Sequence, residues 1–130
     1  MVTLHLPATP STFGLIGERE LSMMKPGTLL INTARGVIVD EGALAAALQS
    51  GHLGGAAIDV FHEEPYKGEL TQLPNCILTP HVGARTRVSR LQMELEAAEN
   101  VICFLQGKPV PGLVPEEQYE IQRLIAEKMG

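Results

Sequence analysis

Tryptophan is absent from this chain and aromatic residues make up only 4% of it, so any core it builds must be aliphatic. Cysteine is scarce too. Cys76 and Cys103 stand far apart without metal-ligand spacing, which argues against a disulfide framework or a metal site and for reduced core residues. Positive charge is short: 10 Lys and Arg face 15 Asp and Glu, a net charge of −5, which leaves no broad cationic surface for nucleic acid. Arg85, Arg87 and Arg90 do cluster, but glutamates follow them closely, as on a solvated helix face. No apolar run approaches the roughly 20 residues of a membrane span. The N-terminus lacks a charged segment followed by an apolar one, so no secretory signal is read. A cytoplasmic protein without membrane or nucleic-acid partners is the expectation.

What is present is apolar and regularly punctuated. Hydrophobic residues reach 45% and charged ones 19%, enough for a packed core and too apolar for disorder. Val2 to Leu6 reads as a short strand stopped by Pro7 and Pro10, and Ser11 or Thr12 can cap a helical turn. Glu18 to Met24 reads as a helix closed by Lys25-Pro26-Gly27. Thr28 to Ile31 is an apolar strand of the kind found with both sheet faces covered. Asp40 can cap a helix from Glu41 to Gln49, ended by Gly51. Gly55 to Val60 and Cys76 to Thr79 supply two more strands. Such alternation predicts an α/β fold with a parallel sheet. The tail differs: Val88, Leu91, Leu95, Ala98, Ile102 and Leu105 recur at helical spacing, predicting one long amphipathic helix from Thr86 to about Gln106. Gly107-Lys108-Pro109 ends it, and a final helix is expected from Glu116 to Met129.

Three ionisable residues follow successive strands: Arg35, Glu64 and His81. In a parallel sheet the carboxyl ends of the strands share one edge, where open α/β folds bind ligands. Separate loops would therefore bring an arginine, a glutamate and a histidine to one crevice. Arginine offers paired donors to a carboxylate or carbonyl. A histidine beside a carboxylate is a general acid–base device, and the neighbour favours its protonated form. Taken singly, each has an ordinary structural reading as a surface charge, a loop cap or a loop histidine. Asp59 ends an apolar strand and must find a donor. His5 and His62 read as structural or exposed, and His52 as lying near a helix C-terminus. Ala34 and Gly36 flank the arginine and leave room for a ligand to approach the backbone. The implied chemistry is polar, at a carbonyl or hydroxyl next to a carboxylate.

The stretch "LHLPATPSTFGLIGERELSMMKPGTLLINTARGVIVDEGALAAALQSGHLGGAAIDVFHEEP" and the later "LPNCILTPHVG" resemble the D-isomer-specific 2-hydroxyacid dehydrogenases, over about residues 2 to 110. That group contains phosphoglycerate, glycerate/hydroxypyruvate and formate dehydrogenases. The resemblance implies the second half of a Rossmann-type domain and hydride transfer between NAD or NADP and a small 2-oxo or 2-hydroxy acid. By motif, Arg35 would bind the substrate carboxylate and carbonyl, His81 would exchange the hydroxyl proton, and Glu64 would pair with that histidine. Asp59 would hold the nicotinamide carboxamide, with Thr33, Ala34 and Gly83 around the ring, and Leu6, Pro7 and Thr9 along the adenosine half. Glu64 in place of Gln argues against the formate branch. The loop after His81, "VGARTRVSR", departs from the commoner small-residue stretch, and Arg85 and Arg87 could meet an extra anionic group or only solvent.

One family signature is missing. No G-x-G-x-x-G occurs, so the pyrophosphate-binding turn and the residue that chooses NAD over NADP are absent from this chain. Residues 1–85 are accordingly expected to form the second half of the cofactor domain, and residues 86–130 a long helix and return segment toward a substrate domain. The resemblance also implies a homodimer for the full-length parent. The isolated 130-residue chain is expected to be inactive, with exposed apolar surface and a tendency to self-associate. An inactive fragment, or an assembly or dinucleotide-sensing module of the same fold, is the alternative.

Overall fold

The computed structural model describes residues 1–113 together with Tyr119 and Arg123. The chain divides into two units, Met1–His81 and Val82–Gly130. The first holds β1 (Val2–Leu4), α1 (Glu18–Met23), β2 (Thr28–Asn32), α2 (Glu41–Gln49), β3 (Leu53–Ile58) and β4 (Cys76–Leu78). Single 3-10 turns at Gly36–Ile38 and Glu69–Gln72 interrupt the loops that follow β2 and β3.

All strand pairs are parallel and the order is β1-β2-β3-β4, with Thr3, Ile31, Ala57 and Ile77 forming one cross-sheet row. Strand alternation assigns Leu4, Leu30, Asn32, Ala56 and Ile58 to one face, where they are buried. With right-handed crossovers and this uniform order, α1 and α2 lie on that same face and pack on each other. Leu21, Leu44, Ala45 and Leu48 supply their side of the aliphatic core. The opposite face is open: Leu29 is 48% exposed and Ile77 68%. The exposed apolar surface expected from the sequence is thus observed.

Local chemistry explains the helix limits. The Asp40 carboxylate accepts the Ala43 N–H at 2.9 Å and starts α2 where the cap was read. The Glu20 carboxylate reaches back to the Gly17 N–H at 3.2 Å at the start of α1. His52 lies just beyond α2, its Nε2 3.1 Å from the Leu21 carbonyl oxygen, while His5 and His62 are exposed. Both cysteines are free and half-buried, and Cys76 packs against the core, where burial raises its thiol pKa.

Several strand limits differ from the sequence reading, β2 ending at Asn32 rather than Ile31 and β4 at Leu78 rather than Thr79. β1 stops at Leu4 rather than Leu6, because its pairing with β2 ends at the Leu4–Asn32 couple. β3 begins at Leu53 rather than Gly55 and ends at Ile58 rather than Val60. Its first glycine has a steric purpose: a Cβ on Gly54 would sit 2.7 Å from the Gly27 carbonyl oxygen of the turn before β2.

In the second unit, α3 runs from Arg87 to Leu105, and the Thr86 hydroxyl caps it by accepting the Ser89 N–H at 3.0 Å. Arg90 pairs with Glu94 one turn on, the solvated arrangement expected there. Val88, Leu91, Leu95, Ile102 and Leu105 are all exposed. The final helix expected over Glu116–Met129 falls outside the described residues apart from Tyr119 and Arg123. Among the described residues no helix is long and apolar enough to cross a membrane.

Candidate active site

The carboxyl edge of the sheet collects the residues singled out by strand-end reasoning. β4 is followed by Thr79, Pro80 and His81, and the His81 N–H donates to the Thr79 carbonyl at 3.0 Å. This tight reversal sets His81 at φ 51°, a left-handed conformation uncommon outside glycine but more accessible to His and Asn than to most residues. The turn aims the ring back across the edge of the sheet. Its Nδ1 lies 3.1 Å from both carboxylate oxygens of Glu64, in the loop after β3. With Nδ1 bound to glutamate, Nε2 is the nitrogen left to exchange a proton with a ligand.

Glu64 is itself held. Its Oε1 accepts the Phe61 N–H at 3.2 Å, so the carboxylate bridges its own loop and the histidine. Desolvation and the nearby Asp59 charge push its pKa up. The Phe61 hydrogen bond, the His81 hydrogen bond and the His81 charge outweigh them, and the carboxyl titrates below its ordinary range. A depressed carboxylate stabilises the fold above its unfolded pKa of about 4.3, and the contribution is lost as pH falls through the lower folded value. Urea unfolding should therefore show the wild type more stable than Glu64→Gln above about pH 4.3, with the gap closing as pH falls below it. A gap that persists at lower pH would show that the carboxylate is not stabilised as described.

Arg35 occupies the loop after β2, exposed, with Nη1 donating to the Ala34 carbonyl oxygen at 2.7 Å. Ala34 itself is buried in the core while Thr33 is exposed. The glycine beside Arg35 has a different role from the one read in the sequence. A Cβ on Gly36 would lie 1.9 Å from the Phe61 carbonyl carbon and 2.2 Å from its oxygen. Its smallness seats one loop backbone on another rather than leaving room for a ligand.

Asp59, 6% exposed, finds the donor its burial demands in the Thr79 hydroxyl, which ties the end of β3 to the end of β4. In the loop after β1, Leu6 and Pro7 are exposed and Thr9 half-buried. The Thr12 hydroxyl organises this loop, donating to the Pro7 carbonyl and accepting the Thr9 N–H, each at 2.8 Å. Gly83 belongs to the second unit. Sequence reasoning missed Asn32 and the Phe61 N–H; a polar residue closing an apolar strand was the available signal for the former. Among the described residues no group of His, Cys, Asp or Glu is arranged to hold a metal ion.

Comparison with known proteins adds the lineage. Residues 1–83 match the family described as D-isomer specific 2-hydroxyacid dehydrogenase, NAD binding domain. The chain belongs to that family. A glyoxylate reductase of Aeropyrum pernix is 46% identical over 125 residues, which cover 95% of this chain and 37% of the reductase. The structure of the TT0316 protein from Thermus thermophilus superposes with a TM-score of 0.80 at 45% identity, covering 84% of this chain and 35% of that one. A 2-hydroxyacid dehydrogenase from Xanthobacter autotrophicus, solved with NADPH and MES, gives a TM-score of 0.76 at 36% identity, over 89% of this chain and 38% of its own. The chain thus spans little more than a third of the length of these relatives. The family resemblance read from "NTARG" and "TPHVG" is borne out, and the parallel sheet is that of the family's Rossmann-like NAD-binding domain.

Proposed function

We propose that this chain carries the substrate-anchoring and proton-transferring residues of an NAD- or NADP-dependent reductase that interconverts a 2-oxo acid and a D-2-hydroxy acid. The observation that supports this best is the Glu64–His81 pair, set on the ligand-binding edge of a 2-hydroxyacid dehydrogenase sheet.

The edge residues fit the nicotinamide end of the cofactor. Asp59 supplies a buried carboxylate acceptor for a carboxamide, and Thr33 and Ala34 follow the end of β2 at the same edge. Leu6, Pro7 and Thr9 would follow the adenosine half. When bound, the nicotinamide supplies or accepts the hydride. In the reducing direction, Arg35 holds the substrate carboxylate and polarises the adjacent carbonyl. His81, protonated, gives the Nε2 proton to the carbonyl oxygen as the C–H bond forms, and the product is the 2-hydroxy acid. Glu64 steadies the imidazolium and fixes its orientation through Nδ1. In the oxidising direction the same nitrogen takes the hydroxyl proton.

The test is NADH or NADPH oxidation with glyoxylate or hydroxypyruvate, using protein expressed from its complete natural reading frame. Arg35→Ala should lower kcat/KM by roughly 2–5 kcal/mol in transition-state terms, mostly by raising KM for the acid. An unchanged kcat/KM would remove the anchoring role. Because the 130-residue chain has no G-x-G-x-x-G, it is proposed to hold only one end of the cofactor and to show no turnover in the same assay. A homodimer is the proposed state of the complete protein.

A further inference from the structure

Asn32 closes β2, one position before the loop that carries Thr33 and Arg35, and it is 1% exposed. A buried carboxamide is costly unless its donors and acceptor are matched, and an apolar residue at this position would avoid the problem. The matches are specific. Oδ1 accepts the Ala34 N–H at 3.0 Å, and Nδ2 donates to the Arg35 carbonyl oxygen at 3.0 Å. The Asn32 carbonyl oxygen accepts the Asp59 N–H at 3.0 Å, joining this loop to the next strand end. Ala34 is thereby clamped from both sides: its N–H by Asn32, its carbonyl oxygen by the Arg35 guanidinium.

We infer that Asn32 is a positioning residue that acts through Arg35, its carboxamide fixing the backbone turn from which the guanidinium reaches the 2-oxo acid. This rests on the reading of Arg35 as the substrate anchor. The physical basis is leverage. Arg35 is exposed and its side chain is long, so its placement depends on the peptide that bears it. Displacement by about 1 Å at a reacting centre can cost on the order of 100-fold in rate. Asn32 also donates and accepts at two consecutive residues, which neither Asp nor Leu at this position could do.

The test compares Asn32→Ser and Asn32→Asp with the wild type, in protein from the complete natural reading frame. In Asn32→Ser, amide hydrogen exchange at Ala34 should quicken roughly tenfold, the loss of one hydrogen bond, while amides in the middle of β2 stay protected; Asn32→Asp keeps the acceptor for the Ala34 N–H and loses only the donor to the Arg35 carbonyl oxygen. KM for glyoxylate should rise toward 100-fold with KM for NADH or NADPH unmoved. Combined with Arg35→Lys, the effects should fall well short of multiplying, since both act on one group. Unchanged Ala34 exchange in Asn32→Ser would overturn the inference, whether or not the protein turns over. Equal changes in both KM values, or effects that multiply, would overturn it as well. If Arg35→Lys alone leaves KM for the acid untouched, the anchoring reading fails. If Arg35→Lys acts and the Asn32 variants do not, only the role of Asn32 fails.

Discussion

His81→Asn should lower kcat by roughly 10²–10⁴-fold while leaving KM for the nicotinamide cofactor near its wild-type value. Asparagine is the informative replacement because of the backbone. At φ 51° a β-branched residue would strain the chain, whereas Asn adopts that region readily. The Thr79–His81 reversal should survive, and the loss should report the missing imidazole rather than a moved loop. Glu64→Gln should fall in between, since the amide still meets the ring but no longer stabilises its positive charge. Stopped-flow measurement of cofactor oxidation would resolve the ranking. Wild-type turnover in His81→Asn would mean that the proton comes from elsewhere.

The second large effect concerns stability. Gly36→Ala places a methyl group 1.9 Å from one main-chain atom and 2.2 Å from another, both in Phe61. Neither can rotate away as a side-chain tip could, so the loops after β2 and β3 must separate. The expected cost is about 3 kcal/mol or more, at the upper end for overpacking. Gly14→Ala is the control: its φ of 61° disfavours alanine, but no atom stands within 4 Å of the added carbon, and about 1 kcal/mol is expected. Urea midpoints at equal m-value would give the comparison. Equal destabilisation by the two substitutions would show that the loop contact is softer than it looks. Because Phe61 also donates its N–H to Glu64, any folded Gly36→Ala protein should be impaired at the acid–base pair too.

Elements with a strong local signature were legible from the residues alone. The apolar run at Thr28–Ile31, the Asp40 cap and the helical spacing from Val88 to Leu105 became a strand, a helix start and a helix as expected, although the strand has one face open where both were expected to be covered. So did the meeting of Glu64 and His81, because parallel strands leave little choice about where their ends lie. What escaped was set by neighbours distant in sequence. The β3 boundary depends on a turn near Gly27, the role of Gly36 on the Phe61 backbone, and the burial of Asn32 on helices packed beneath the sheet. A glycine beside an arginine reads equally well as space for a ligand or as a seat for another loop. Only the packing distinguishes them.

The strand order has a kinetic consequence. Each strand of the first unit pairs with its immediate successor, and no ladder waits for a distant segment. Loop closure at each step is therefore modest, a low-contact-order route for a parallel sheet. β1 to β3 can pair before β4 joins, and β4 arrives with Thr79 and His81 directly behind it. The acid–base pair thus spans the β3–β4 ladder at one edge of the sheet, and its Nδ1–carboxylate contact should be lost when the β4 edge frays.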